Sequence, residues 1–275
     1  MSMTIEDCAA ERPANPPPSG PTNIFEQLSL KDYVCVITGA SGGIGSAIAE
    51  AYAEAGAHVA LWYNSKPAPA QALASTLSST HGVKAQAYQV DVSSADAVQK
   101  GVEDVVKEFG KLDVFVANAG KPSSKPLLEM ELDEVRDMNA VNLDSVVYCA
   151  KFAGAVFKKQ GKGNFIITSS ISAHIVNVPV DQPIYNATKA YISHLGKSLA
   201  REWRQFARVN IVSPGFFNTP MGASDRVKNE ANRMAVLGRQ GETSEIKGIY
   251  LYLASEASSY QTGSDTIIDG GYTLP

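Results

Sequence analysis

Short stretches of consecutive apolar residues recur along the chain, and longer stretches of helical pattern separate them. In Val34–Ile37 and Val114–Ala117 every residue is apolar, rather than every second one. Such runs are typical of strands whose two faces are both buried, as in a parallel sheet covered by helices. The predicted strands are Tyr33–Thr38, His58–Trp62, Lys84–Val90, Leu112–Ala117, Asn164–Ser169, Arg208–Val212 and Thr266–Ile268.

Helices are predicted between these strands, near residues 43–56, 68–80, 94–109, 130–159, 184–206 and 242–255. Because strands and helices alternate, we expect a single-domain doubly wound (Rossmann) α/β fold, a parallel sheet of about seven strands with helices on both faces. Ligands of such folds bind beyond the carboxyl ends of the strands, so the residues that follow each strand are the first candidates for function.

The first 23 residues differ from the rest of the chain in composition. Five prolines lie among small polar residues, and proline fixes φ and lacks a backbone donor. We therefore expect residues 1–23 to form a disordered tail and residues 24–275 to form the catalytic domain. The prolines are Pro13, Pro16, Pro17, Pro18 and Pro21.

Composition and charge exclude several classes of function. The net charge of −4 gives no reason to expect nucleic acid as a partner, and we expect no membrane partner, since no apolar run approaches the length of a span. Three dispersed cysteines make no disulfide framework, and four histidines show no metal-ligand spacing, so no metal is expected. The N-terminus does not resemble a signal peptide, which predicts a cytoplasmic protein.

A glycine-rich turn follows the first predicted strand, in the segment Thr38–Gly45 (TGASGGIG). Its glycines allow a tight turn and a close approach to a pyrophosphate, and the next helix offers free N–H groups to the anion. An ordinary strand-to-helix turn is the alternative for a glycine cluster on its own. The predicted contacts of the cofactor here are Gly39, Ser41, Gly43, Ile44 and Gly45.

The end of the second strand predicts which dinucleotide binds. An NAD site usually places an acidic residue there, but none occurs between Glu54 and Asp91. The strand instead leads into Asn64, Ser65 and Lys66, and a hydroxyl and an ammonium group favour a 2′-phosphate that a carboxylate would repel. We therefore predict NADP(H) as the cofactor. For Lys66 alone, the alternative is a solvated residue of the turn without a ligand.

Further motifs follow in order, and together they identify the chain as similar to the short-chain dehydrogenase/reductase family. The glycine spacing is the TGxxxGxG pattern of that family, rather than GxGxxG. The other matching segments are Asn118–Gly120, Asn142, Ser170, Tyr185–Lys189 (YNATK), Pro214–Gly215 and Asp269–Gly271. The resemblance covers about residues 30–275.

The resemblance also implies further contacts of the cofactor. Asp91 and Val92 would bind adenine, although Asp91 could also cap the helix that follows. The matching residues for the adenine ribose are Asn118, Ala119 and Gly120. After the sixth strand, Pro214 and Gly215 lead to Phe217, which offers backbone contact, and to Thr219, which would contact the carboxamide.

Tyr185 and Lys189 lie four residues apart, so on a helix their side chains share one face. A nearby ammonium group and an oxidised nicotinamide favour the phenolate, and we expect them to lower the tyrosine pKa from its usual value near 10. Tyr185 could then exchange a proton with a carbonyl or alcohol oxygen. In the family the lysine also binds the nicotinamide ribose, and Asn142 resembles the residue that holds a water relay beside it.

The catalytic serine has two candidates. Aligning the fifth strand with that of the family selects Ser170, whereas the usual interval before Tyr185 selects Ser172. We prefer Ser170, because the geometry of a strand is less variable than the length of a loop. His174 follows shortly afterwards and is assigned either to substrate contact or to loop packing.

The predicted reaction is the reduction of a ketone or ketose by NADPH with Tyr185 as proton donor. The alternative is a polyol dehydrogenase working in the oxidative direction, and a remote one is a non-catalytic dinucleotide sensor. The variable segment 216–237 is expected to select the substrate. The resemblance extends to fungal sorbose reductases, yeast carbonyl reductases and NADP-dependent mannitol dehydrogenases, and it implies a homotetramer or dimer built on the helices of 137–159 and 185–206.

Overall fold

The structure is a computed structural model that describes residues 20–219 and 224–274. Seven parallel strands form one sheet in the order β3-β2-β1-β4-β5-β6-β7. Their bounds are β1 Val34–Thr38, β2 His58–Tyr63, β3 Ala85–Gln89, β4 Val114–Ala117, β5 Asn164–Thr168, β6 Arg208–Pro214 and β7 Asp265–Ile268. The order reverses between β1 and β4, and the carboxyl ends of both strands lie at the same edge of the sheet.

Helices cover both faces of the sheet, which confirms the predicted fold class. Their bounds are α1 Ile24–Gln27, α2 Gly43–Glu54, α3 Pro67–His81, α4 Ala95–Phe109, α5 Leu132–Asn139, α6 Ser145–Gln160, α7 Pro183–Glu202, α8 Asp225–Met234 and α9 Lys247–Ala254. The one helix expected over 130–159 is two helices, α5 and α6, joined by the π-helical stretch Ala140–Asp144. Helix α8 was not predicted, because its sequence is mostly polar.

In the described residues the core has two large apolar layers, one on each side of the sheet, and a small third cluster around Tyr272. Along β1, Cys35 and Ile37 face a layer that includes α2 and α9, whereas Val34 and Val36 face a layer that includes α4, α6 and α7. All four side chains are at most 1% exposed. Burial on both faces explains why the strand is apolar at consecutive positions.

The continuous helical segment Leu132–Gln160 is long and apolar enough to span a membrane by length and composition alone, with a mean hydropathy of 1.2. Within its most apolar window, 44% of the residues are buried inside the protein. Its side chains Val146, Cys149 and Phe157 belong to the core beside the sheet. The same composition is typical of a packed core helix.

The predicted tail lies mainly outside the described residues, because the structure is described from Gly20 onward. Residues 20–23 are exposed, and the Asn23 side chain accepts hydrogen bonds from the backbone N–H groups of Phe25 and Glu26. Asn23 is therefore the N-cap of the short helix α1.

Candidate active site

The glycine-rich turn joins the end of β1 to the start of α2, as the sequence predicts. Gly39 and Gly43 have φ angles of +67° and +59°, a region that favours glycine. A Cβ atom on Gly45 would lie 2.3 Å from the carbonyl oxygen of Gly39, so the helix could not approach the turn with a larger residue there. Ser41 and Ile44 lie in the same turn, partly buried.

The turn is fixed to the neighbouring strand by Thr38. Its hydroxyl accepts hydrogen bonds from the backbone N–H groups of Asn118 at 2.9 Å and of Ala119 at 2.8 Å. The Asn118 amide in turn donates to the Thr38 carbonyl oxygen at 2.9 Å. These bonds join the carboxyl ends of β1 and β4, so the predicted pyrophosphate and ribose segments form one continuous surface.

Asn64, Ser65 and Lys66 are all exposed at the carboxyl end of β2. Lys66 is the N-cap residue of α3, and the first turn of that helix contains no acidic residue. Pro67 and Pro69 in this first turn have no N–H, so the N–H of Ala68 and the Lys66 side chain are the donors here, and the positive end of the helix favours an anion. The contact of these residues with a 2′-phosphate stays a prediction.

Asp91 and Val92 follow β3, at the same edge of the sheet. The Asp91 carboxylate accepts hydrogen bonds from the backbone N–H of Ser93 at 3.0 Å and from its hydroxyl at 2.6 Å. Ser94, not Asp91, caps helix α4, since its hydroxyl accepts from the N–H of Ala97. The capping alternative for Asp91 is therefore wrong, and its proposed adenine contact remains a prediction.

Tyr185 and Lys189 lie on one face in the first two turns of α7. The Lys189 ammonium nitrogen is 5.6 Å from the centroid of the Tyr185 ring and donates to the Thr168 carbonyl oxygen at 3.1 Å. The Lys189 residue is 4% exposed, and burial lowers its pKa to about 8. Its charge is therefore retained at neutral pH, although at a cost in solvation.

Without the nicotinamide the pKa of Tyr185 is raised, so the expected lowering by Lys189 and the oxidised cofactor together stays a prediction. Burial raises the pKa of Tyr185, and a hydrogen bond with Ser170 opposes that rise only in part. The physical reason is that desolvation penalises the charged phenolate more than the hydrogen bond with Ser170 stabilises it. Tyr185 is consequently a neutral hydroxyl at neutral pH.

The two candidate serines bond each other and differ in their further partners. Ser170 is 8% exposed, and its hydroxyl donates to the Ser172 hydroxyl at 3.1 Å and accepts from the N–H of Ser172 at 3.1 Å. Ser170 also lowers the pKa of Tyr185 by hydrogen bonding, in part against the effect of burial. The Ser172 hydroxyl instead donates to the Asn177 side-chain oxygen at 2.6 Å and accepts from Gln182 at 3.2 Å. The structure thus places Ser170 beside Tyr185 and Ser172 in the adjoining amide network.

Asn142 is 1% exposed and lies in the π-helical stretch between α5 and α6. Its side chain accepts from the N–H of Lys121 at 2.7 Å and donates to the Lys121 carbonyl oxygen at 2.9 Å. A Cβ atom on Gly120 would lie 3.5 Å from the Asn142 oxygen and 3.6 Å from the Lys189 nitrogen. Asn142 and Lys189 therefore converge on the backbone that follows β4.

Pro214 and Gly215 mark the end of β6, where Gly215 donates to the carbonyl oxygen of Ile268 at 2.9 Å. A Cβ atom on Gly215 would lie 2.6 Å from that of Asp269, which explains the need for glycine. Beyond it, Phe217 forms a single β-bridge with Gly241.

Thr219 reaches the glycine-rich turn, since its side chain lies 3.5 Å from the Cβ position of Gly43. Residues 220–223, including Met221 of the predicted substrate segment, lie outside the described residues. Helix α8 follows them and forms one wall of a cavity of about 680 Å³ whose lining residues are Pro179, Arg226, Asn229, Glu230 and Arg233.

His174 packs against the sheet. Its Nε2 atom lies 3.2 Å from the Ser213 hydroxyl and 3.2 Å from a carboxylate oxygen of Asp265, whose side chain is 4% exposed. These contacts favour loop packing over substrate contact. The sequence does not predict a role for Tyr272, whose hydroxyl bonds the Val178 backbone in the loop before α7. Its position directly after the Asp269–Gly271 segment is the one feature of the sequence that could have indicated it.

Comparison with known proteins shows clear relatives. A family model described as enoyl-(acyl carrier protein) reductase matches residues 39–273. A probable NADP-dependent mannitol dehydrogenase of Yarrowia lipolytica is 47% identical over 269 residues, covering 94% of this chain and 94% of the relative. The sorbose reductase SOU1 of Candida albicans is 47% identical over 263 residues, covering 94% and 93%.

Among solved structures, the NADPH-dependent 3-quinuclidinone reductase from Rhodotorula rubra superimposes with a TM-score of 0.93 at 47% identity. The match covers 97% of this chain and all of that one (100%). The similarity therefore extends over the whole sheet and the candidate site.

Proposed function

The chain belongs to the short-chain dehydrogenase/reductase family, and from this we propose that it uses NADPH to reduce a ketose or related ketone to the alcohol. The fold and the family agree with the expectations from the sequence. The relatives carry the names of NADP-dependent oxidoreductases of polyols, ketoses and ketones, which supports an oxidoreductase with the same class of cofactor.

One observation carries the proposal. Tyr185, Lys189 and Ser170 come from helix α7 and from the end of β5, and they meet at the carboxyl edge of the sheet. A neutral phenol, a buried ammonium group and a hydroxyl donor at one point can bind and protonate a carbonyl oxygen.

The residues present fit a dinucleotide. Positive φ angles at Gly39 and Gly43 and the close packing of Gly45 on the Gly39 carbonyl keep the turn free of side chains, so a pyrophosphate could approach its backbone, and Lys66 lies at the N-terminus of α3. These residues would hold the phosphates, and Lys189 would hold the nicotinamide ribose. When bound, the nicotinamide supplies the hydride.

The chain's own residues supply the proton and orient the oxygen. Because burial raises the pKa of Tyr185, the phenol stays protonated at neutral pH, which is the state that a proton donor needs. The Ser170 hydroxyl, which donates to the Ser172 hydroxyl in the structure, would turn to donate a second hydrogen bond to the same carbonyl oxygen. Lys189 keeps a positive charge 5.6 Å from the Tyr185 ring, which stabilises the phenolate after the proton has left. Asn142 holds the backbone beside Lys189.

The test is a panel of substrates with both cofactors. We expect oxidation of NADPH with at least one of fructose, sorbose, xylulose or an aryl ketone, and reduction of NADP with mannitol or another polyol. The Tyr185→Phe variant should keep NADPH binding and lose about 10²–10⁴-fold in turnover, because only the proton-donating hydroxyl is removed. An active Tyr185→Phe enzyme, or a wild type inactive on the whole panel, would overturn the proposal.

The preference for NADPH over NADH is tested separately at Lys66. Lys66→Ala removes the cation proposed to face the 2′-phosphate and should weaken NADPH binding about ten- to a hundredfold. NADH binding should change little. Lys31→Ala is the matched control, because Lys31 is also exposed but precedes β1 at the opposite edge of the sheet. Equal losses for both cofactors would refute the assignment.

The proposed assembly is a homotetramer or dimer. On α6 and α7 the small side chains Ala155, Ala187 and Ala190 are exposed, and Tyr191 beside them is 45% exposed. Exposed small residues let two helices approach closely, and an exposed tyrosine is typical of interfaces, so both support packing of these helices against a second copy. Light scattering at micromolar protein should give the mass of a dimer or tetramer, and a monomer would contradict the proposal.

The proposed compartment is the cytoplasm. Cys35 and Cys149 are free thiols buried in the core. Cysteines without disulfides are typical of proteins from a reducing compartment such as the cytoplasm. Microscopy of the chain fused at its C-terminus to a fluorescent protein should show diffuse cytoplasmic signal, and accumulation in an organelle would contradict it.

A further inference from the structure

Tyr272 lies near the end of the chain, yet it is one of the most buried side chains of the protein. It is 1% exposed and belongs to a small apolar cluster with Ile171, Ala231 and Ala235. Its ring centroid lies 5.3 Å from that of Phe216. The ring is therefore packed between helix α8 and the residue that follows Ser170.

The Tyr272 hydroxyl reaches the loop that precedes α7. It donates to the carbonyl oxygen of Val178 at 2.9 Å and accepts from the N–H of the same residue at 3.3 Å. Among the hydrogen bonds found in the described part of the chain, these are the ones that hold the backbone of residues 176–181. Burial raises the pKa of Tyr272, so the hydroxyl stays protonated and can donate at any pH near neutrality.

The turn that carries Tyr272 is itself well fixed. The Asp269 carboxylate accepts from the N–H of Gly271 at 2.8 Å and from the N–H of Thr273 at 2.8 Å. The N–H of Tyr272 donates to the Asp269 carbonyl oxygen at 3.3 Å. The segment after β7 thus forms a rigid support from which the tyrosine extends.

The loop joins the two groups that act on the carbonyl oxygen. It begins after Ser170 and ends at the start of α7, two residues before Tyr185. On its inner side, Gln182 donates to the Asn177 side-chain oxygen at 3.1 Å and to the Ser172 hydroxyl at 3.2 Å. The amide network holds the loop through the side chain of Asn177, and Tyr272 holds it through the backbone of Val178.

We propose that Tyr272 is a positioning residue for substrate binding, which it performs by holding the backbone of Val178 and so the loop between Ser170 and Tyr185. The assignment rests on the proposed function, because the loop borders the site of reduction. Tyr272 does not contact the reacting atoms. Its loss should therefore weaken the binding of substrate and leave the binding of NADPH intact.

The test compares Tyr272→Phe with wild type, since this change removes the hydroxyl and keeps the packed ring. Tyr252→Phe is the matched control, because it also removes one tyrosine hydroxyl bond, to Gln261 at 3.0 Å, on helix α9. Three quantities are measured: kcat and KM for the best ketose or ketone, the Kd of NADPH, and hydrogen exchange in peptides that cover residues 175–182.

We expect Tyr272→Phe to raise KM about three- to tenfold, as the loss of two neutral hydrogen bonds implies, with kcat changed less than about twofold. Exchange in residues 175–182 should become faster, whereas the NADPH Kd and all Tyr252→Phe values stay at those of wild type. A general structural defect would instead weaken NADPH binding and speed exchange across the sheet, which would overturn the proposal.

An unchanged KM beside an active wild type would also overturn the role of Tyr272 while leaving the proposed function intact. If wild type turned over no substrate, the proposed function would fail by itself. The exchange rates of residues 175–182 would then decide whether Tyr272 holds the loop. Faster exchange in Tyr272→Phe would support the proposed role of the Tyr272–Val178 hydrogen bonds, and unchanged exchange would refute it.

Discussion

Replacing each of the two serines after β5 by alanine tests the assignment of the catalytic hydroxyl. Ser170→Ala removes the hydroxyl that hydrogen-bonds Tyr185 and that accepts the N–H of Ser172 at 3.1 Å. The lost acceptor costs about 1 kcal/mol of stability. A donor aimed at a developing oxyanion is worth about 10²–10³-fold in kcat, so the loss of turnover should greatly exceed the loss of stability.

Ser172→Ala should show the opposite balance. The Ser172 hydroxyl donates to the Asn177 oxygen at 2.6 Å and accepts from Gln182 inside the amide network. It also accepts from the Ser170 hydroxyl at 3.1 Å, but Ser170 itself remains in this variant. Its removal should lower the free energy of unfolding by about 1–2 kcal/mol, while kcat falls less than about tenfold.

The assay combines kcat at saturating NADPH, thermal unfolding, and the pH profile of kcat. Because the hydrogen bond with Ser170 lowers the pKa of Tyr185, Ser170→Ala should also move the basic limb of the profile to higher pH. Ser172→Ala should leave that limb in place. A Ser172→Ala enzyme that has lost turnover with unchanged stability, beside a working Ser170→Ala enzyme, would refute the reasoning.

Two further predictions follow from the geometry. Gly45→Ala places a methyl group 2.3 Å from the Gly39 oxygen and should cost about 1–3 kcal/mol of stability and at least about tenfold in NADPH affinity. The control Gly248→Ala, which has open space around it, should leave both quantities unchanged or raise the stability. Unfolding and NADPH-binding titrations measure the two effects. Because burial lowers the Lys189 pKa to about 8, below that of the unfolded chain, its stability penalty is complete below pH 8 and disappears as pH rises towards 10.5. Lys189→Met should therefore stabilise the apoprotein by about 2–4 kcal/mol at pH 7 and by much less at pH 10, and it should abolish turnover. The control Lys197→Met, at an exposed lysine, should change neither the stability nor the turnover. Chemical unfolding at both pH values measures this, and an equal effect at the two pH values would contradict it.

Local pattern was sufficient to predict the sheet and the position of the site. The runs at β1 and β4 are apolar at every residue because both faces of a parallel strand are buried. Consecutive apolar residues are therefore enough to predict such a strand. The turn at Gly39–Gly45 and the four-residue interval between Tyr185 and Lys189 are likewise local, since a tight turn and a helix face depend on few neighbours. These elements lie where the sequence predicts them.

Tertiary structure decided what depends on distant neighbours. Which hydroxyl lies beside Tyr185 depends on how the loop after β5 folds back, so spacing alone left Ser170 and Ser172 both open. The direction of the Tyr185 pKa shift in the protein without its cofactor depends on burial, which the four-residue interval to Lys189 does not reveal. The contact of Tyr272 with Val178 joins residues 94 positions apart, and no periodicity in the sequence records such a contact. Local propensities specify the elements, but desolvation and long-range hydrogen bonds arise only when those elements pack together.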